Sequence, residues 1–206
     1  MLYKQTTTPI LLKVLDNLMQ DEMLKDFVLV GGTALSLRFG HRKSIDIDLF
    51  STKPIEQNLV FHLSQNSNRN ILDAGKYIIT FIEQNVKVDL GFWNTDFGKI
   101  DEIEGIRMAN PHDIFAMKFD AITTRKVKKD FFDIYELCQH FSFHIGFESF
   151  NKKFPYSKNS SIIFKAFGDI NEADSSETPE MLNDLEWDFV KEKLKNYAKR
   201  YFFETK

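Results

Sequence analysis

The stretch from Phe27 to Ser51, FVLVGGTALSLRFGHRKSIDIDLFS, constrains the fold of this chain more than any other. It joins an apolar strand, a paired-glycine turn, a helix-compatible spacer and a second strand with two carboxylates in alternation. Side chains on a strand alternate between faces, so Asp46 and Asp48 project to one side while Ile45, Ile47 and Leu49 are expected to pack the other. Two carboxylates held that close raise each other's pKa unless a shared cation compensates. Mg²⁺ suits this role because it takes oxygen ligands and commonly keeps positions for phosphates and water. Gly31-Gly32 is expected to end the strand Phe27 to Val30, where the absence of Cβ allows a tight turn and close approach of a ligand. Amides at the start of the following helix then favour phosphate oxygens.

Each part alone is weak. An isolated Asp-x-Asp on a strand is more often solvated surface, and a glycine pair after a strand is often only a turn. Their combination in one strand–turn–helix–strand unit points instead to a nucleotide-and-metal site. Downstream, Tyr77 to Glu83 and Val86 to Phe92 read as a hairpin around Gln84-Asn85, with Asp89 on an alternating strand. Next, Asn110-Pro111-His112-Asp113 reads as a helix start, with Pro in the first turn and an acid at the positive end of the dipole. That helix should run to about Thr123, with Phe115, Met117, Phe119 and Ile122 as its packing residues. Lys118 and Arg125, seven residues apart, share a face if the helix persists. In a helix Asp130 and Asp133 also share a face, and Asp130 could serve as a helix cap. Basic residues in such a run equally suit a solvated face.

The residues Gly31-Gly32-Thr33-Ala34-Leu35, followed by Gly40-His41-Arg42-Lys43-Ser44-Ile45-Asp46-Ile47-Asp48-Leu49-Phe50, resemble the first motif of the AbiEii/AbiGii toxin family. These are nucleotidyltransferases with a DNA polymerase β-like fold. The resemblance implies an α+β class: a polymerase β-like core with a small mixed sheet flanked by helices over 1–108, then a mainly helical lobe over 109–206. It implies transfer of a nucleotidyl group from a nucleoside triphosphate at a site needing Mg²⁺ (or Mn²⁺), with Asp46, Asp48 and Asp89 as metal carboxylates. Gly31, Gly32, Thr33 and Ser44 would bind the nucleotide. Lys118 matches the family's triphosphate-contacting lysine and is followed by Arg125. Lys128-Lys129-Asp130-Phe131-Phe132-Asp133 resembles the family's Lys-Asp-x-x-Asp ending, so Asp133 joins the catalytic set. Several members are bacterial toxins, some of which extend the 3′ end of tRNA, and an antitoxin partner is implied with them. From Ser161 to Trp187 the chain is similar to the family tail, but Phe167 to Asp174 departs from its more compact acidic run.

Composition bounds these expectations. The 206 residues, with 21 Phe, can bury a sizeable core in one compact unit. A formal charge of −3 means that binding to tRNA needs a local field. Arg38, Arg42 and Lys43 flank the first motif, and Arg125 to Lys129 the third. The last helix, from Trp187, is basic from Lys191 to Arg200, yet it reads mainly as an amphipathic helix packed by Trp187, Val190, Leu194 and Tyr197. Cys138 stands alone, which excludes an internal disulfide and suits an apolar packing role. The five histidines lack zinc spacing. His41 could touch substrate or order its loop. No signal segment or membrane span is legible, so a cytoplasmic location is expected. Two other readings use the same residues: a catalytically silent binding or regulatory module, and a metal phosphohydrolase, which the lack of a histidine-rich pattern disfavours.

Overall fold

A Thr8 hydroxyl that accepts the amide of Leu11, with Pro9 in the first position, starts helix α1 (Pro9–Gln20). The computed structural model describes residues 1–155 and 160–204. These form two compact units, Met1–Asn110 and Pro111–Lys206. In the first, α1 buries Leu11, Val14, Leu15, Leu18 and Met19. Helix α1 stops at Gln20, because the Asp21 side chain accepts the Met23 amide and opens a separate 3₁₀ turn, Glu22–Leu24. Ile10 of the same helix is exposed.

The sheet of this unit is built from β1 (Val28–Leu29), β2 (Asp46–Ser51), β3 (Arg69–Ala74), β4 (Ile78–Glu83), β5 (Val86–Phe92), β6 (Asp101–Ile103) and β7 (Ile106–Met108). Their order across the sheet is β3-β4-β5-β2-β1-β7-β6. Helix α2 (Gly31–Phe39) connects β1 to β2, and α3 (Gln57–Ser64) precedes β3. Central β2 pairs antiparallel with β1 and parallel with β5. Its alternation works as read for Ile47 and Leu49, both fully buried, with Asp46 and Asp48 half-buried on the other face. Ile45 differs: pairing begins at Asp46, and Ile45 lies outside the strand with 71% of its surface exposed. The β4–β5 hairpin turns at Gln84 and Asn85, with φ of 50° and 65°. Two central residues at positive φ make the turn whose twist suits adjoining strands.

The second unit is helical: α4 (Pro111–Thr124), α5 (Lys128–His140), α6 (Phe143–Lys153), α7 (Ser160–Gly168) and α8 (Trp187–Lys199), which ends in a π turn, Arg200–Glu204. Phe119 is the hub of its core, with ring centroids 5.0 Å from Phe115, 5.2 Å from Phe143 and 5.7 Å from Phe167. Val190, Leu194 and Ala198 are the buried stripe of α8. The polar string after Gly168 holds a 3₁₀ segment, Ile170–Ser175, because Ile170 and Ala173 are buried and pin it. Asp174 then accepts hydrogen bonds from Trp187 Nε1 and Lys191 Nζ. No helix among the described residues is long and apolar enough to cross a membrane.

Candidate active site

The register of β2 on β5 arranges four charged residues as two facing pairs: Asp46 opposite Lys87 and Asp48 opposite Asp89. Residues two apart on a strand share a face, so three carboxylates and one ammonium occupy neighbouring positions on one side of the sheet. The hairpin adds Thr80, paired with Asp89 in the next strand. Its hydroxyl donates to Asp89 Oδ1 at 2.6 Å, and Lys87 Nζ donates to Asp89 Oδ2 at 2.5 Å. Partial burial pulls the Lys87 ammonium down. The hydrogen bond to Asp89 and the charges of Asp89, Asp46 and Asp48 outweigh it and hold the pKa above the usual lysine value. A positive charge at this point is therefore favoured by all three carboxylates.

Helix α2 begins at Gly31 itself, so the glycine pair forms the first turn of the helix rather than a separate cap to the strand. Val30, at the N-cap, offers no side-chain acceptor, which leaves the first-turn amides to water or a ligand. Gly31 has φ +69°, and a Cβ there would collide with the Asp48 carboxylate. A Cβ on Gly32 would collide with the Arg42 guanidinium, which is buried and donates to the Lys43 carbonyl at 2.8 Å. The turn is thus sandwiched between a carboxylate and a guanidinium: at Gly31 the backbone angle itself favours glycine, while at Gly32 a side chain would have to push the Arg42 guanidinium aside. Thr33 and Ser44 are buried and hydrogen-bonded to each other at 2.8 Å, and the Thr33 hydroxyl also donates to the Asp46 carbonyl. The Ser44 amide donates to the Thr6 carbonyl at 2.9 Å. These bonds tie the helix start to the strand start, so both hydroxyls sit in the scaffold under the Asp-x-Asp. His41 is buried as well.

In the second unit, Lys118 Nζ lies 2.7 Å from Asp130 Oδ1 and 2.6 Å from Asp133 Oδ2. Arg125, its side chain more than half exposed, reaches Asp130 with Nε at 2.8 Å and Nη2 at 3.2 Å. Lys118, Asp130 and Asp133 are buried, and α5 starts at Lys128 with no side-chain cap. Asp130 is therefore an ion-pair hub rather than a cap. Burial pushes its carboxyl up, but the Lys118 charge and the hydrogen bond and charge of Arg125 prevail and hold it below the usual aspartate value. A second buried pair joins Asp113, in the first turn of α4, to Lys153 at 2.8 Å.

An all-carboxylate donor set on a half-buried face fits a hard divalent cation, and Lys87 already places a cation there. Among the described residues, however, no group of three or more His, Cys, Asp or Glu is gathered at metal-holding spacing. Asp89 is held by Thr80 and Lys87 instead. Sequence reasoning missed both partners. The signal for them was the alternation of Lys87 with Asp89 and the facing position of Thr80 across the hairpin turn. A cavity of about 420 Å³, lined by Lys25, Asp26, Val28, Thr52, Lys53 and Arg107 among others, lies at the opposite end of the β1–β2 pair from Asp46. Within it Lys53 pairs with Asp26 at 2.6 Å, and Arg107 donates to the carbonyls of Met19, Leu24 and Phe27.

Residues 13–206 match the family described as nucleotidyl transferase AbiEii toxin, type IV TA system. The chain belongs to the AbiEii family. An uncharacterised protein of Aquifex aeolicus is 31% identical over 187 residues, 85% of this chain and 88% of that relative. Among solved structures, JHP933 from Helicobacter pylori is similar in fold, with a TM-score of 0.58 at 18% identity, covering 97% of this chain and 92% of that one. MenT4, a nucleotidyltransferase toxin from Mycobacterium tuberculosis, has a TM-score of 0.50 at 11% identity, covering 92% and 83%. As an AbiEii-family member the chain is a nucleotidyltransferase of a toxin family, on the mixed α/β fold of such enzymes.

Proposed function

We propose that this chain moves a nucleoside monophosphate from a nucleoside triphosphate to an acceptor hydroxyl on RNA, in the first instance a tRNA 3′ end. It would do so in the cytoplasm, as the toxin of a toxin–antitoxin or phage-defence pair. One observation carries the reading: the β2–β5 register that sets Asp46, Asp48 and Asp89 on one face, with the Gly31 turn pressed against Asp48. Asp46, Asp48 and Asp89 would hold Mg²⁺ or Mn²⁺, which when bound neutralises charge on the attacking and leaving oxygens.

The chain's own groups do the rest. Amides of Gly31, Gly32 and Thr33 at the start of α2 receive phosphate oxygens. Ser44 and Thr33 fix the strand start that carries Asp46. Asp89 takes the proton of the acceptor hydroxyl as its oxygen attacks the α-phosphorus and pyrophosphate leaves. Support for RNA comes from Lys43 beside the first motif and from the basic run Arg125 to Lys129 in the second unit. An antitoxin partner follows from the family's type IV system.

The test is incubation of the protein with total RNA, each labelled triphosphate and Mg²⁺, followed by mass spectrometry of RNA and protein. Labelled RNA is expected, with loss of at least a hundredfold in Asp46→Asn and Asp48→Asn variants that keep their melting temperature, the scale of a lost electrostatic catalytic group. Labelling of protein alone would overturn the acceptor, and full activity in both variants would overturn the site.

A further inference from the structure

We propose that Lys87 is a resident counter-ion of the carboxylate face, which keeps Asp89 engaged in the metal-free protein and is displaced when a divalent cation enters. The inference rests on the metal-site reading above and adds a competitor to it. Lys87 Nζ sits 2.5 Å from Asp89 Oδ2, in the register position opposite Asp46 and diagonal to Asp48. Three carboxylates on one face of a sheet repel one another unless a cation lies among them. Lys87 is the cation that the fold supplies from within the same strand pair. Its side chain is 46% exposed, so the ammonium has solvent to move into when the Asp89 oxygen is taken.

Thr80 completes the arrangement. Its hydroxyl holds Asp89 Oδ1 at 2.6 Å, leaving Oδ2 as the oxygen over which lysine and metal compete. A metal ligand in this position needs a neighbour that fixes one oxygen and frees the other. The device couples order of binding to charge. Three carboxylates and one ammonium leave the face with a net charge of about −2, which draws in a divalent ion, and that ion takes Asp89 Oδ2 only by outcompeting the ammonium.

The experiment is Mn²⁺ titration of the full chain, read by the paramagnetic resonance signal of free Mn²⁺, for wild type, Lys87→Met and Asp48→Asn. Lys87→Met is expected to bind about tenfold more tightly than wild type, the fold-change for removing one charge-assisted competitor. Equal or weaker binding in Lys87→Met overturns the inference and leaves the metal site standing. Absence of Asp48-dependent Mn²⁺ binding in wild type overturns the metal site, and the inference with it. A second measurement needs no variant: amine acylation of wild type with and without Mn²⁺, with Lys87 followed by peptide mass spectrometry. Faster acylation of Lys87 with Mn²⁺, beside unchanged rates at Lys13 and Lys76, is expected. An unchanged rate at Lys87 overturns the displacement.

Discussion

At Gly31 two restrictions meet: a backbone at φ +69° and a carboxylate where a Cβ would stand. Gly31→Ala is therefore expected to cost about 1–3 kcal/mol of stability, the range for a non-glycine residue forced into a sparsely populated conformation. It should also lower transfer activity more than tenfold by moving Asp48, and a melting curve read beside a transfer assay checks both. Asp130 poses a different problem, because its carboxylate is fully buried between Lys118 and Arg125. Asp130→Asn leaves a buried lysine with half its partners and should destabilise the second unit by about 3 kcal/mol, measurable by urea unfolding. Cys138 is quieter. Burial pushes its thiol up to about 12, so alkylation at neutral pH should be slow in the folded protein and speed up once denaturant is added.

Among the elements, α6 fits closely against α4. A Cβ on Gly146 would lie 2.6 Å from the Phe115 ring, so the two helices meet where one has no side chain. Gly146→Ala, although a better helix former by intrinsic propensity, should lower stability by about 1–3 kcal/mol through overpacking. Circular dichroism melts decide the sign. The same logic joins β2 to β5: Gly91 faces Phe50 in register, and a Cβ there would strike its ring at 2.6 Å. The glycine admits the aromatic and so fixes the register that pairs Asp48 with Asp89. These contacts were not legible in the chain, since nothing in the sequence around Gly146 or Gly91 says which distant ring it must admit. The β4–β5 hairpin was legible, because Gln84-Asn85 between alternating apolar runs carries its own turn chemistry.

For the molecule as a whole, the response to acid follows from its carboxylates. The carboxyl of Asp130 is held below its ordinary value, so its stabilisation is complete above about pH 4, the unfolded aspartate range, and is lost as pH falls through the lower folded value. Asp120 has the opposite sign. Burial raises its carboxyl, and protonation as pH falls through that raised value favours the folded state. The melting temperature is expected to fall steeply below about pH 4, and Asp130→Asn should flatten that fall; an unchanged acid limb would show that Asp130 does not govern it.

By itself the sequence determined the local units: the strand, glycine turn and Asp-x-Asp of the first motif, the hairpin carrying Asp89, and the helix opening at Pro111. Each is coded by residues within a few positions of one another, through side-chain alternation, turn chemistry and capping. Tertiary structure alone decided the partners. Pairing of β2 with β5 brought Lys87 opposite Asp46, and the hairpin gave Thr80 to Asp89. Helix packing buried Lys118 between Asp130 and Asp133, and the close approach of Arg42 explains Gly32. Charge neutralisation depends on distance in space, and a chain read in order carries spacing along itself but not across strands and helices that meet only when folded.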